Sequence, residues 1–212
     1  MDWIAGLIIV LVIGIFLVVL DQRRISAWSD RRSKRIKKEL ENVASTLNMD
    51  LRWKDHNLSF SEFPYTEDNG QIYWSLSSSF SDRKIVLFDY AWLSGSGIGT
   101  RVNYQTIAAF QLTERSLPMF RLRPSTPIRR DISEFLVFQT PSDFSNNYLL
   151  EGDDEDAIRA IFNHSMLNYL NTNLGWSLEG SGEWLLIYKE DRRFAPDELG
   201  QFLSETSRIA EF

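Results

Sequence analysis

From Trp3 to Leu20 the chain runs for eighteen residues without a charge, and fourteen of those positions are Leu, Ile, Val or Phe. Each such side chain favours hydrocarbon by roughly 0.3 to 0.6 kcal/mol, on the order of 6 kcal/mol in all. At about 1.5 Å of rise per residue the segment reaches about 27 Å, enough for a bilayer core of about 30 Å. The rival reading, a cleaved signal peptide, fails on both flanks. Asp2 precedes the run where Lys or Arg belongs, and Val18-Val19-Leu20-Asp21 has no small-residue cleavage pattern. The segment predicts a transmembrane anchor with the lipid bilayer as its partner.

The charges on either side of the anchor fix its orientation. Residues 21–40 hold eight Lys or Arg (Arg23, Arg24, Arg31, Arg32, Lys34, Arg35, Lys37, Lys38) against three acids, and no basic residue precedes the span. Positive charge stays on the cytoplasmic side. The expectation is therefore an inner-membrane protein with its N-terminus outside and the rest of the chain in the cytoplasm. The collar reads as an amphipathic helix from Ser29 to Leu47, with Ile36, Leu40, Val43 and Leu47 on one face. Its basic face is a candidate contact for anionic headgroups, against the plainer alternative that the helix sets topology and then packs on the domain.

Beyond residue 40 the balance reverses, fifteen basic against twenty-five acidic groups, a net of −10. An acidic body repels nucleic acid, so no nucleic-acid partner is expected. Apolar residues at 43% and aromatics at 13% exclude disorder for the bulk of the chain. The absence of cysteine removes disulfides, thiolate metal sites and cysteine nucleophiles. The division expected is 1–20 anchor, 21–48 basic juxtamembrane helix and 49–212 a single α+β domain.

Within that domain, alternation predicts strands at Gln71–Leu76, Lys84–Trp92, Arg101–Leu112, Met119–Arg123, Ile132–Gln139 and Tyr148–Leu150. Val86, Phe88, Tyr90 and Trp92 share one face of their strand, and turn residues at Asp68-Asn69-Gly70, Ser81-Asp82 and Ser94 to Gly97 make the pairing antiparallel. After residue 150 the period becomes helical. Asp153–Asn171 predicts one helix, with Ile158, Ile161, Phe162, Ser165 and Tyr169 on a stripe, and Ala195–Phe212 a second, opened by Pro196. A hairpin of Trp176–Leu178 and Glu183–Lys189 lies between them. Strands first and helices last imply a mainly antiparallel sheet with two C-terminal helices covering one face.

The pieces Phe88-Asp89-Tyr90, Gly95 to Gly99 and Gln105-Thr106, set behind an anchor and a basic helix, resemble those of uncharacterised bacterial single-pass membrane proteins with a C-terminal cytoplasmic domain. The resemblance implies that topology and no activity.

Candidate chemistry is sparse. Gly95-Ser96-Gly97-Ile98-Gly99 is followed by a strand pattern and lacks a Lys-Ser/Thr pair, so it reads as a hairpin loop rather than a phosphate cradle. The acidic run Glu151 to Asp156 misses EF-hand spacing and suits helix capping. His56 and His164 are too few for zinc without cysteines. No nucleophile elbow occurs. One charge feature contrasts with its surroundings: Arg115, Arg121, Arg123, Arg129 and Arg130 gather around Pro118, Pro124 and Pro127. These five are the candidate contacts for an anion, a headgroup or an acidic partner, against the plainer alternative of surface arginines paired with local acids. No catalytic residue, metal ligand or cofactor is assigned. The function expected is a membrane-tethered interaction or scaffold domain with a protein partner, more in keeping with a non-enzyme. The alternative is a small-ligand sensor or enzyme with an unrecognised site.

Overall fold

The computed structural model describes residues 34–54, 58, 70–80, 83–95, 100–113, 116–125, 135–138 and 143–212. The apolar run 3–20 and the start of the basic collar lie outside the described residues. Among the described residues no helix is long and apolar enough to cross a membrane. The compact unit that carries the sheet begins at Val43.

Helix α1 covers residues 34–47 with a 3- and 4-residue burial rhythm. It stops at Asn48, which takes a left-handed φ of 53° that asparagine tolerates. There the Met49 N–H reaches the Ala44 carbonyl at 2.9 Å and the Asn48 N–H reaches that of Ser45 at 3.3 Å, satisfying the last orphan acceptors. Strand β1 (Asp50–Trp53) follows at once, then β2 (Gln71–Phe80), β3 (Arg83–Ser94), β4 (Arg101–Gln111) and β5 (Leu117–Pro124). A one-turn α2 (Phe144–Asn147) leads to β6 (Tyr148–Gly152), α3 (Glu155–Ile161) and α4 (His164–Thr172). The hairpin β7 (Ser177–Gly182) and β8 (Trp184–Tyr188), a short 3-10 turn (Pro196–Glu198) and α5 (Leu199–Ala210) complete the chain.

The fold is α+β, with one eight-stranded antiparallel sheet in the order β1-β2-β3-β4-β8-β7-β5-β6. The late hairpin β7–β8 inserts between β4 and β5, so the last strands form the middle of the sheet. Leu112 N–H bonds Glu183 O at 2.6 Å where the two halves meet. Directly opposed residues share a face, which sorts the side chains. Val86, Phe88, Tyr90, Ile107, Ala109, Leu186 and Tyr188 form a buried cluster on one face, with Leu58, Ile72, Trp92 and Trp184 packed against it. Leu76, Leu87, Ala108, Leu122, Leu178 and Ile187, each fully buried, point to the other.

Helices α3 and α5 pack on β5 and on β4 and β8. Phe120 meets Phe162 edge-on at 5.2 Å, and Phe202 stacks on Phe194 at 4.3 Å and on Trp176 at 6.1 Å. Phe120 lies between two glycines, directly opposite Gly152 on β6 and Gly180 on β7. A Cβ at Gly180 would come within 2.2 Å of its ring, so the glycine makes room for the aromatic.

Three expectations need correction. The helix expected over Asp153–Asn171 is two helices, because Asn163 turns extended (φ −67°, ψ 167°) and its side chain accepts from Met166 N–H at 3.0 Å, capping α4 anew. The buried stripe then passes to Met166, Leu167 and Leu170, and Ser165 is exposed. The strand expected over Ile132–Gln139 is absent at its described residues, 135–138. Leu136 N–H bonds Leu150 O at 2.8 Å, but the Ser145 hydroxyl takes the Phe138 N–H at 2.9 Å and diverts it from a ladder. Strand β1 has no counterpart among the expected strands. The helices cover one face as expected, and burial on β3 runs unbroken from Val86 to Ala91 and on β4 from Gln105 to Phe110, so the other face of the sheet centre is covered too.

Candidate functional site

Alternation along β7 sends Ser177 and Glu179 to one face and Leu178 to the other, and the ladder aligns them with chemistry on both sides. Glu179 stands opposite Arg121 of β5, Arg121 stands opposite Glu151 of β6, and Ser177 stands opposite Tyr188 of β8. Arg123, two residues along β5, falls on the same face as Arg121. A polar group of two arginines, a carboxyl, a phenol and a hydroxyl thus lies on the sheet face that also carries the Val86, Phe88 and Ile107 cluster.

Glu179 is 3% exposed. Its Oε1 accepts a short hydrogen bond from the Tyr188 hydroxyl, and Arg121 Nε lies 3.9 Å from the same oxygen. The Arg121 guanidinium also reaches Glu190 at 3.9 Å. Burial pushes the Glu179 carboxyl above the usual glutamate range, while the Tyr188 bond and the Arg121 charge pull against it. Burial beside that carboxyl pushes Tyr188 up further, so the phenol keeps its proton and acts as a donor. Glu179 Oε2, Ser177 Oγ and Arg123 Nε are buried with no hydrogen-bond partner, although the Arg123 guanidinium sits over the Phe135 ring at 5.8 Å. The group keeps the Tyr188 proton and leaves hydrogen-bonding capacity unused at Glu179 Oε2, Ser177 Oγ and Arg123 Nε. It contains no activated nucleophile.

This burial has a pH signature. A carboxyl whose folded value is raised contributes stability below its unfolded value, and that contribution is lost as pH rises through the folded value. From about pH 4.3, the ordinary glutamate value, upward, the thermal midpoint is expected to fall. Glu179→Gln, which keeps an acceptor for Tyr188 without titrating, should lessen the fall. Melting curves of both proteins across that range check it. Asp89, whose carboxyl is shifted in the same direction, adds its own slope to both proteins. Equal slopes would show that Glu179 does not couple folding to pH.

Of the five arginines marked by the sequence, Arg121 and Arg123 enter this group, with the Arg121 side chain only 18% exposed. Arg115, Arg129 and Arg130 lie outside the described residues. Sequence reasoning alone does not single out Glu179, Tyr188 and Ser177; the expected strand stops at Leu178, and β7 runs on through Glu179 to Gly182. The acidic run resolves into capping: Asp154 accepts from Ala157 N–H at 3.0 Å, and Glu155 pairs with Arg159 at 2.6 Å. Among the described residues no three His, Cys, Asp or Glu gather to hold a metal. Most of the glycine run Gly95 to Gly99 lies outside the described residues; on its flanks Ser94 of β3 and Arg101 of β4 pair directly.

A second buried cluster binds the sheet to the chain after β8. Asp89, 1% exposed, receives Trp74 Nε1–H at 3.0 Å and Arg193 Nε–H on Oδ2, and Thr106 Oγ1–H at 2.7 Å on Oδ1. Thr106 Oγ1 in turn accepts from Phe194 N–H at 2.9 Å. Burial pushes the Asp89 carboxyl up, opposed first by the Arg193 charge. Both carboxylate oxygens are engaged, so this cluster is a clasp. Two depressions lie elsewhere. One of about 10 Å³ between Phe120, Met166, Leu185 and Ile209 has room for about one water. The other, about 460 Å³, is open and polar, between Ser45, Asn48, Asp50 and Ser77.

No protein-family model matches the chain, and no curated protein matches it. Among solved structures it is similar to the crystal structure of the mycobacterial trehalose monomycolate transport factor A, TtfA, with a TM-score of 0.54 over 84% of this chain and 92% of that one. At 10% identity the likeness is one of fold.

Proposed function

We propose that the chain is a membrane-tethered accessory factor, not an enzyme, whose α+β domain works at the cytoplasmic face of the inner membrane beside machinery that moves a lipid. The supporting observation is the fold likeness to a protein described as a transport factor for trehalose monomycolate, which covers 92% of that solved chain. The apolar run 3–20 supplies the anchor in this reading, with the N-terminus outside and the basic collar against anionic headgroups. Arg115, Arg121, Arg123, Arg129 and Arg130 remain the proposed contacts for an anionic or acidic partner.

Crosslinking in intact cells, followed by capture of the full chain and mass spectrometry, tests it. The expected product is an integral membrane component of a lipid transporter. Recovery of the chain alone, or only of soluble proteins, would count against it. A small-ligand sensor is the second reading. It is favoured by the buried, partly unpartnered Glu179, Ser177 and Arg123 group, and saturable binding of a small polar molecule lost in Glu179→Ala would bring it forward.

A further inference from the structure

Helix α5 and Phe194 cover the helical face of the sheet over β4 and β8, but this cover ends near Thr106. Beyond it, on the same face, large apolar and aromatic side chains stand in water. Leu93 and Val102 oppose one another across β3 and β4 and are 47% and 50% exposed. The next pair on that face is Ala91 and Tyr104. The Tyr104 ring lies 5.9 Å from that of Tyr73, the extra residue at the β2 bulge, which is 40% exposed. Tyr73 O accepts from Lys54 N–H at 3.0 Å, and the neighbouring Trp53, 37% exposed, stands opposite Trp74 on this face. Exposed apolar residues are ordinary when scattered; a run of them on one face marks a contact surface.

We infer that this end of the sheet, Trp53, Tyr73, Leu93, Val102 and Tyr104, is a membrane-contact surface that rests the domain on the anionic inner leaflet; the inference rests on the tethered reading above. Three observations select a lipid surface as the occupant. The aromatics are Trp and Tyr, whose rings bury an apolar body and keep a polar edge wet, the character of interfacial side chains. A cation at the rim fits headgroups: Lys54 is exposed, while the Arg193 guanidinium, paired with Asp89, lies over the Tyr104 ring at 5.1 Å. Among the described residues of β1 to β4 on this face the carboxylate is Asp89, which is buried and bound to Arg193, so no acid there repels the leaflet despite the acidic body. Position in the chain adds to this. Trp53 lies six residues beyond the helix that continues the basic collar, so a tether through residues 3–20 keeps the patch at a high effective concentration beside the bilayer.

Because the chain has no cysteine, single spin labels are clean reporters. Leu93→Cys, Val102→Cys and, as a control, Leu174→Cys, at a site 55% exposed, are placed in the full chain reconstituted into vesicles of phosphatidylethanolamine and phosphatidylglycerol. Collisions with oxygen, which dissolves in the bilayer, are compared with collisions with an aqueous nickel chelate. The expected result is a shift toward oxygen at 93 and 102 and none at 174, lost when Trp53→Ser and Tyr73→Ser are added. Labels at 93 and 102 as open to nickel as the control would overturn the inference, as would shielding from both reagents, which means protein contact. An alkaline wash of the same vesicles reports separately on the tether: release of the chain defeats the tethered reading, whereas the label contrast, recorded before the wash, decides the surface.

Discussion

Truncating Phe202 to Ala is expected to cost about 3–5 kcal/mol, the range for an aromatic removed from a packed core. The side chain is 1% exposed, and its ring is held between Phe194 at 4.3 Å and Trp176 at 6.1 Å. Those two belong to different segments, one after β8 and one before β7, so the space left cannot close by moving a single element. For a domain of this size each kcal/mol corresponds to about 2–4 °C. Thermal melts should therefore show a loss on the order of 10 °C, with α5 released first in hydrogen exchange. A loss below about 1 kcal/mol would mean that α5 is an appendage rather than part of the core.

Asp89→Ala follows with about 3 kcal/mol, the lower end of the range for breaking a buried pair, because the Arg193 side chain is 40% exposed and water softens its loss. What remains costly is Trp74 Nε1–H, on a residue 2% exposed, and the Thr106 hydroxyl, both left without their acceptor. Asp89→Asn, which keeps an acceptor, should recover part of the loss. Chemical denaturation of the two variants beside the parent checks the order. Equal losses would assign the effect to the charge rather than to the hydrogen bonds.

That clasp shows how far local sequence reaches. Phe88-Asp89-Tyr90 and Gln105-Thr106 stand out as short motifs, and the structure joins them: Asp89 and Thr106 are directly opposed on β3 and β4 and hydrogen-bonded. Their third member, Arg193, lies 104 residues from Asp89, a separation at which no periodicity carries information. The same distinction runs through the fold. The β3–β4 hairpin is legible because turn residues separate two long alternating runs. The insertion of β7–β8 between β4 and β5 is not, since strand order depends on which edges meet during folding. Strand β1 is four residues, too short for alternation to register. The break at Asn163 hides inside an apolar stripe whose period continues on both sides. At the candidate site, Arg121 and Arg123 are visible as charges out of keeping with an acidic domain. Glu179 is not, because its burial follows from where β7 sits in the sheet.

If the tethered domain serves lipid movement, depleting the protein should change how envelope lipids divide between the two leaflets, and that distribution can be measured in depleted cells. A lipid precursor is expected to accumulate on the cytoplasmic side. The full chain should restore its export, while a chain lacking residues 3–20 should not. An unchanged lipid distribution in depleted cells, with the chain's absence verified, would contradict a role in lipid movement.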